Sequence, residues 1–443
     1  MKVVVVGSGG REHALAVALA RTAEVVVTPG NPLIPGSVDT PVADLVADGS
    51  VDLVVFGPEQ PLVAGQADRL RAKGVRVFGP GADGARLEGS KAFMKQIAEE
   101  AGLPTARWES FEEVGPAQAY LAAATPPYVI KTDGLAAGKG VLVTDSLDDA
   151  VSDVRAKLEG RSFGDAGERV VIEEGLIGTE VSVFAVCDGT RAVCLPAAQD
   201  FKRVGDGDAG PNTGGMGAWS PLPFVPDGFE EEIARTFIEP TLAELRQRGI
   251  DYRGALYAGF MLTAEGPKLI EYNVRFGDPD SQVVLLRMTS DLAALLAAAA
   301  DGDLTTVPAP TFDDEVAVLV VAASEGYPVA PRTGDPIEGL DAAAAVEGAL
   351  VDHVDDAVRG EVGGGAGPVL GDPVGLLEAP GLAGRRPGHR AVDDRGALAA
   401  VAGDGGVAVR AGAAGLEVLG HHRVAGVAVG GDDGGAAIVG AGD

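Results

Sequence analysis

The chain has little cysteine and no long apolar run, and each shortage excludes a class of protein. Two cysteines, Cys187 and Cys194, occur in 443 residues, too few for a disulfide framework and without the spacing of a metal site. No apolar run approaches the roughly 20 residues that span a bilayer. The apolar run at residues 3–6 is too short for a signal peptide and leads directly into a glycine loop. We therefore expect a cytoplasmic protein.

Positive charge is also scarce. The sequence has 35 Lys and Arg against 65 Asp and Glu, for a net charge of −30. This balance disfavours binding to nucleic acid or to an anionic membrane, because both would repel the chain. Small anionic substrates are not excluded, because local basic residues decide their binding. The length predicts about two to four domains.

The first hundred residues alternate strand-like and helix-like segments. Four apolar runs each end in a turn: residues 3–6 before 7–10, 25–27 before 29–31, 53–56 before 57–62, and 75–78 before 79–80. This alternation predicts an open parallel sheet with its ligand at the carboxyl ends of the strands. The first turn is not the dinucleotide fingerprint, because Glu12 stands where the third glycine belongs. It binds an anion or serves only the fold.

Lysines occupy the ends of predicted elements in the middle of the chain. Ser90 is a plausible helix N-cap, and Lys91 in the first turn is unfavourable for the helix dipole unless it meets a phosphate. A strand at residues 128–131 ends on Lys131. Residues 132–141 lack the Walker A spacing and instead predict a glycine-hinged hairpin lid that carries Lys139 over a phosphate chain.

Two further segments are rich in polar residues. A buried strand at residues 170–176 contains Glu173 and Glu174, which are either adenine-edge residues or ordinary surface acids. Residues 199–218 are dense in Gly, Asp and Asn without hydrophobic periodicity, which predicts a long irregular loop. Lys202 and Arg203 within it favour a functional loop.

The stretch at residues 269–280 concentrates groups suited to metal and phosphate. On a strand, alternate residues share a face, so Glu271, Asn273 and Arg275 should point one way and Tyr272 and Val274 into the opposite layer. Carboxylate and amide oxygens suit Mg²⁺, and an arginine suits phosphate or carboxylate. The alternative is a half-buried strand with a solvated polar face.

These motifs together resemble the phosphoribosylamine–glycine ligase family of the ATP-grasp superfamily. The matching segments are residues 7–14, 29–31, 90–91, 131–140, 199–217 and 271–278, within a resemblance that runs to about residue 346. The resemblance implies an α/β chain with an N-terminal open parallel sheet domain at 1–100. It also implies a central ATP-grasp domain at 101–310, which would contain a lid subdomain at about 121–188. A C-terminal α+β domain would occupy residues 311–443.

The resemblance also implies a reaction and its reactants. ATP would phosphorylate glycine to a glycyl phosphate, and 5-phosphoribosylamine would attack it. The products are glycinamide ribonucleotide, ADP and phosphate, in de novo purine biosynthesis. Mg²⁺ or Mn²⁺ would be required, and a monomer is compatible with the resemblance.

Individual site roles follow from the same resemblance. The metal ligands would be Glu271 and Asn273, and the catalytic residues Arg275, Lys131 and Lys139. The ATP-binding set would be Lys91, Lys131, Lys139, Glu173, Glu174, Leu176 and Glu180. The substrate-binding set would be Gly9, Gly10, Arg11, Glu12, Gly30, Asn31, Glu59, Asp200, Lys202, Arg275, Gly277 and Asp278.

One departure and two rival interpretations accompany the resemblance. The strand at residues 255–261 offers no carboxylate for a second metal ion, so its ligands are unassigned. One rival is another ATP-grasp carboxylate–amine ligase or a biotin-carboxylase-like enzyme, which would lack the motifs at residues 7–13 and 200–217. The other is a nucleotide-binding protein without catalysis.

The tail changes in composition from residue 361. It contains only Gly, Ala, Val, Leu, Ile, Pro, Asp, Glu, Arg and His. It is either a natural low-complexity segment or the out-of-frame translation of a GC-rich gene, of which we favour the second. Without large side chains, poor packing is expected there. The result would be a C-terminal domain with an atypical Gly/Ala-rich tail.

Overall fold

The computed structural model describes residues 1–135, 140–160, 168–206 and 209–332, and the backbone of four further strands. Those strands lie at residues 351–354, 408–412, 415–419 and 427–430. Lys139 and most of the tail after residue 361 lie outside the described residues, so the predictions made for them stay predictions.

A four-stranded parallel sheet forms the N-terminal part. Its elements are β1 (Lys2–Gly7), α1 (Gly10–Leu19), β2 (Glu24–Pro29), α2 (Val42–Leu45), β3 (Leu53–Phe56), α3 (Gln60–Val63), α4 (Gln66–Arg71) and β4 (Val77–Phe78). The strand order is β2-β1-β3-β4, and all pairs are parallel. The valines of β1 are fully buried or nearly so. The predicted open parallel sheet is confirmed, and its fourth strand is shorter than predicted.

Four helices and a small antiparallel sheet follow. The elements are α5 (Ala82–Gly89), α6 (Lys91–Glu100), β5 (Trp108–Phe111), α7 (Val114–Ala123), β6 (Tyr128–Thr132), β7 (Val141–Thr144), α8 (Leu147–Leu158) and β8 (Val170–Glu174). Ser90 caps α6 by accepting a hydrogen bond from Phe93 N, as predicted. The sheet order is β5-β8-β6-β7, and the sheet packs with α7 and α8 around its own apolar cluster. The β6–β7 pairing confirms the predicted hairpin.

A second antiparallel sheet carries the strand of the predicted metal ligands, Glu271 and Asn273. The next elements are β9 (Thr179–Asp188), β10 (Ala192–Cys194), β11 (Gln199–Asp200), β12 (Arg203–Gly205), β13 (Ala209–Asn212), β14 (Gly217–Ser220), α9 (Phe229–Ile233), α10 (Glu239–Gln247), β15 (Arg253–Thr263) and β16 (Gly266–Asn273). A π-helical turn at Ala234–Ile238 joins α9 to α10. The order of this sheet is β10-β9-β15-β16, so β9 belongs to it and not to the small sheet. The predicted lid subdomain, at about 121–188, includes β9, and the domain boundaries stay predictions.

The last part of the chain adds a mixed sheet. Its elements are α11 (Asp280–Arg287), α12 (Leu292–Asp301), a 3₁₀ turn (Leu304–Thr306), β17 (Ala317–Ala323), β18 (Val351–Val354), β19 (Ala408–Gly412), β20 (Gly415–Leu419) and β21 (Val427–Gly430). The sheet order is β11-β14-β17-β21-β18, and β19 pairs with β20. The predicted poor packing of the tail and its proposed origin are not tested by these backbone strands. Within the described ranges, no helix combines the length and apolar character needed to cross a membrane.

The prediction of an irregular loop at residues 199–218 is wrong in part. β12 and β13 pair with each other as an antiparallel hairpin, and β11 and β14 pair at the edge of the mixed sheet. Each of these strands has only two to four residues, too few for a hydrophobic alternation to be visible. Gly217 has a φ of +148° where its backbone meets β17, and a side chain there would overlap the carbonyl of Leu319.

The first glycine turn is built around the side chain of Glu12. Glu12 is 2% exposed, and its carboxylate accepts a hydrogen bond of 2.7 Å from Gly9 N. A Cβ atom on either Gly7 or Gly57 would overlap the Glu12 side chain. The turns after β1 and β3 therefore both pack against the Glu12 side chain, which lies between them.

This fit predicts that Gly57→Ala destabilises the protein. The added methyl must displace a buried carboxylate, so the free energy of unfolding should fall by about 1–3 kcal/mol in urea titrations. Gly115→Ala is the control, because that helical glycine faces open space and should gain about 0.5–1 kcal/mol. Equal stability of wild type and Gly57→Ala would contradict the steric account.

Candidate active site

The predicted metal ligands lie side by side at the end of β16. Glu271 pairs with Gly259 and Asn273 with Tyr257 on β15, whereas Leu269 pairs with Phe260. Ile270 is therefore an extra residue, a β-bulge immediately before Glu271. Asn273 Nδ2 lies 3.5 Å from Glu271 Oε1, so the two side chains share one edge of the strand as predicted.

Lysines surround the Glu271 carboxylate. Lys91 Nζ, at the start of α6, lies 3.9 Å from Glu271 Oε2. Burial acts to raise the pKa of Glu271, but Lys91 and Lys131, and Lys202 after them, lower it to about 2. A charged carboxylate among cationic side chains suits a metal ion together with a phosphate chain.

A second carboxylate, Glu173, lies between two lysines. Its Oε2 is 2.7 Å from Lys95 Nζ and its Oε1 is 2.8 Å from Lys131 Nζ, and all three residues are buried. Burial lowers the pKa of Lys95 to about 8, against the opposing effect of Glu173. Burial acts to raise the pKa of Glu173, but Lys131 and Lys95 outweigh it and lower that pKa. The carboxylate assigned to the adenine edge is thus held within the protein.

Lys95 was not found from the sequence. It stands four residues after Lys91 on α6, and residues at this spacing share a helix face. That spacing is the signal that could have indicated it. Lys95 is 0% exposed, and a buried lysine is costly unless its charge has a partner such as a carboxylate.

The other predicted adenine and ribose residues lie on and beyond β8. The Glu174 carboxylate accepts hydrogen bonds from Arg107 N at 3.1 Å and Arg107 Nε at 2.7 Å. Leu176 is half-buried in the connection to β9, and Glu180 is the second residue of β9. Gly178 packs so closely on the end of β15 that a side chain would overlap the Leu262 carbonyl. This connection therefore lies against the sheet that carries Glu271.

Arg275 is held by two acids of the N-terminal part. Its Nε lies 3.4 Å from Glu59 Oε2, and its Nη2 lies 3.3 Å from Glu88 Oε1. Burial opposes the charged form, but Glu88 and Glu59 raise the pKa of Arg275. β16 ends at Asn273, so the predicted alternation along one strand does not extend to Arg275.

Glu88 was also missed by sequence reasoning. Its Oε2 accepts a hydrogen bond of 2.8 Å from Val274 N, so it holds both the backbone and the side chain of this segment. Burial raises the pKa of Glu88, against the effect of Arg275. In sequence it is an acid in a short helix, with no local signal. Tyr272 and Val274 pack in the apolar cluster opposite, as predicted.

The turns after β1 and β2 meet the residues beyond Arg275. Arg11 Nη1 donates to Phe276 O at 3.3 Å and Arg11 Nε lies 2.5 Å from Glu12 Oε1. A Cβ on Gly9 would lie 3.9 Å from Asp278 Oδ2. The turn of residues 9–12 is therefore adjacent to the predicted Gly277–Asp278 turn.

The Gly30–Asn31 turn is tied to the same place. Gly30 N donates to Gly7 O at 3.0 Å, and Asn31 Nδ2 donates to Ser8 O at 2.8 Å. Gly30 has a φ of +59°, and a side chain there would overlap Ser37. The predicted substrate residues of the first two turns thus form one surface.

A third charge cluster, of buried Asp200 and Asp280 with half-buried Lys202, lies next to the Asp278 turn. Lys202 Nζ is 2.5 Å from Asp200 Oδ2, and burial together with Asp200 raises the pKa of Asp280 to about 8, with Lys202 opposing. Asp280 begins α11 and is 1% exposed. A side chain on Gly215 would overlap Pro279, so the segment of residues 199–218 packs on this turn. Asp280 is a further residue without a sequence signal.

The donor set fits a divalent ion that takes most of its ligands from a bound nucleotide. Glu271 and Asn273 supply two oxygens, and the residues opposite them on β15 are Gly259 and Tyr257. No group of three or more His, Cys, Asp or Glu suited to a metal occurs among the described residues. Mg²⁺ is commonly bound through one or two protein oxygens together with substrate phosphates and water.

Comparison with known proteins identifies relatives over most of the chain. Two family models match: the phosphoribosylglycinamide synthetase N domain over residues 1–88, and its ATP-grasp (A) domain over residues 89–281. A phosphoribosylamine–glycine ligase of Mesorhizobium japonicum is 47% identical over 372 residues, covering 81% of this chain and 87% of that protein. One of Xanthomonas axonopodis pv. citri is 47% identical over 413 residues, covering 88% and 95%.

Solved structures show the same relationship. The phosphoribosylamine–glycine ligase of Thermotoga maritima superimposes with a TM-score of 0.66 at 36% identity, covering 77% of this chain and 86% of that one. Biotin carboxylase of Campylobacter jejuni reaches a TM-score of 0.56 at 15% identity, with coverages of 74% and 77%, which shows a shared fold alone. The chain belongs to the phosphoribosylglycinamide synthetase (phosphoribosylamine–glycine ligase) family of ATP-grasp ligases.

Proposed function

We propose that this chain ligates glycine to 5-phosphoribosylamine with ATP, giving glycinamide ribonucleotide, ADP and phosphate in purine biosynthesis. The observation that carries the proposal is the edge of β16. Glu271 and Asn273 lie there beside Lys91, and Lys131 contacts the carbonyl of Ile270. The family relationship supports the same reaction. We place it in the cytoplasm, in keeping with two free cysteines, Cys187 and Cys194.

The first step transfers the terminal phosphoryl group of ATP to the carboxylate of glycine. Phosphoryl transfer depends on positioning and charge neutralisation more than on covalent help. Lys91 and Lys131 would neutralise the phosphate chain together with Lys139. Mg²⁺ or Mn²⁺ held by Glu271 and Asn273 would neutralise phosphate oxygens. The backbone of residues 174–176 would bind the adenine edge, and Glu180 the ribose.

The second step is attack of the phosphoribosylamine nitrogen on the glycyl phosphate. Arg275 would stabilise the oxyanion, because a guanidinium has more N–H groups than its contacts with Glu59, Glu88 and Phe276 O occupy. The turns at residues 9–12 and 30–31 would bind phosphoribosylamine, with Glu59 beside them. Asp200, Lys202, Gly277 and Asp278 would bind glycine.

Substrate dependence of ADP release tests the function. Steady-state release of ADP, beyond one equivalent per enzyme, should require both glycine and 5-phosphoribosylamine, with the amine generated in the assay from ribose 5-phosphate and ammonia. The product should have the mass of glycinamide ribonucleotide. ADP release that ignores both substrates, or that requires bicarbonate instead, would overturn the proposal in favour of a different ATP-grasp activity.

Arg275→Lys should separate catalysis from folding. The lysine keeps a positive charge opposite Glu59 and Glu88, so the fold should persist, but it lacks the planar fork of donors. We expect kcat to fall by about 10²–10³-fold. Arg287→Lys is the control, because that buried arginine bonds Ser220 Oγ and Glu315 O, outside the proposed chemistry. A kcat for Arg275→Lys close to that of Arg287→Lys would remove the assigned role.

Asp280 should make stability depend on pH. Its folded pKa of about 8 exceeds the value of about 3.9 for an unfolded aspartate. The folded state therefore binds more protons between these values, and the free energy of unfolding falls as pH rises through about 4 to 8. Urea titrations at about pH 6 and pH 8.5 should show a loss in wild type that is reduced by about 1–3 kcal/mol in Asp280→Asn.

The control for this pH dependence is Asp301→Asn. Asp301 is exposed and pairs with Arg76 at the surface, so its substitution should leave the pH dependence of wild type intact. The same pH dependence in Asp280→Asn and wild type would show that another group titrates in this range.

A further inference from the structure

The β-bulge before Glu271 is held from one side by two side chains. Thr105 Oγ1 donates to Leu269 O at 2.7 Å, and Lys131 Nζ donates to Ile270 O at 3.2 Å. Leu269 N also donates to Pro104 O at 2.8 Å. The carbonyl groups of Leu269 and of the extra residue, Ile270, thus both accept hydrogen bonds from outside the sheet of β15 and β16.

Those contacts matter because a bulge interrupts the ladder between strands. The extra residue is left unpaired and the strand bends, which changes the direction of the side chains that follow. Carbonyl groups at such a point need other hydrogen-bond partners. The partners of Leu269 and Ile270 therefore restrain the backbone immediately before Glu271.

The two partners belong to one closed loop of contacts. Lys95 Nζ donates to Thr105 Oγ1 at 2.8 Å, which leaves the threonine hydroxyl hydrogen for Leu269 O. Lys95 also pairs with Glu173, and Glu173 pairs with Lys131. The loop joins α6, β8, β6 and the segment before β5 to the two carbonyls of the bulge. We call Lys95, Thr105, Glu173 and Lys131 the bulge clamp.

We infer that the bulge clamp positions Glu271 for metal binding, with Lys95 and Thr105 as positioning residues that contact neither metal nor nucleotide. This inference rests on the proposed metal site at Glu271 and Asn273. Thr105 is the most informative member, because its hydroxyl makes both contacts and carries no charge. Substituting Lys95 or Glu173 instead would leave a buried charge without its partner and confuse the result.

Thr105→Val tests the inference, because valine keeps the shape of threonine and removes its hydroxyl. Calorimetric titration with ADP plus Mg²⁺, and with ADP plus EDTA, gives two dissociation constants whose ratio measures the contribution of the metal. We expect this ratio to fall about tenfold in Thr105→Val, as for other groups that orient a metal ligand, while binding of metal-free ADP changes less than about twofold. Thr105→Ser retains the hydroxyl and should retain the wild-type ratio.

Thr241→Val is the matched control. The Thr241 hydroxyl also makes two hydrogen bonds: it donates to Phe237 O at 2.8 Å and bonds the hydroxyl of Tyr272 in β16 at 2.9 Å. Thr241 is buried, whereas Thr105 is half-buried. Thr241→Val removes a buried threonine hydroxyl next to the same strand but does not reach the bulge. The ratio for Thr241→Val should equal that of wild type, even if the melting temperature falls.

The outcomes distinguish the clamp from the metal site itself. If wild type binds ADP equally with and without Mg²⁺, the proposed metal site is wrong, and the inference falls with it. If wild type shows the metal effect and Thr105→Val retains it, or weakens both titrations equally, the positioning inference alone is overturned. Should Thr105→Val fail to fold by circular dichroism, Thr105→Ala removes the same hydroxyl with less bulk and is judged by the same ratio.

Discussion

The site depends on one constraint: the buried negative charge of Glu173 must be paired with cationic side chains. An ionised carboxylate in the interior is costly unless it is paired, and here Lys95 and Lys131 form ion pairs with it at 2.7 and 2.8 Å. The three side chains come from α6, β8 and β6, so the small sheet cannot move away from α6 without separating these charges. Lys131 also donates a hydrogen bond to the carbonyl of Ile270, so the same ion pairs connect α6 and the small sheet to the strand that carries Glu271.

The same principle operates at the other two clusters of the site. Arg275 lies between Glu59 and Glu88, and Lys202 lies beside Asp200 near Asp280. Each cluster joins segments that are distant in sequence, so each fixes the relative position of two elements as well as the charge of a side chain. In a chain with a net charge of −30, the lysines and the arginine of these clusters supply the local positive charge that anionic substrates need.

Sequence reasoning succeeded where the signal is local. The strand before the first glycine turn, the Ser90 cap and the adjacent pair of Glu271 and Asn273 all follow from patterns within a few residues, and the structure has them. It failed where the position of a residue depends on distant packing. Lys95, Glu88 and Asp280 look like ordinary helix residues until their partners are known. The short strands within residues 199–218 were missed because backbone pairing with β17 defines β14, independently of side-chain periodicity.

The position of the tail relative to the site follows from the sheet order. Every residue assigned a role, apart from Lys139, is placed by elements that end at or before α11. The tail reaches this framework through β21, which pairs with β17, while the other edge of β17 pairs with β14. β14 in turn pairs with β11, which contains Asp200. Among the described residues, β21 thus connects through β17 and β14 to the Asp200 cluster, and β18 on its other edge contacts α1, which begins in the turn of residues 9–12.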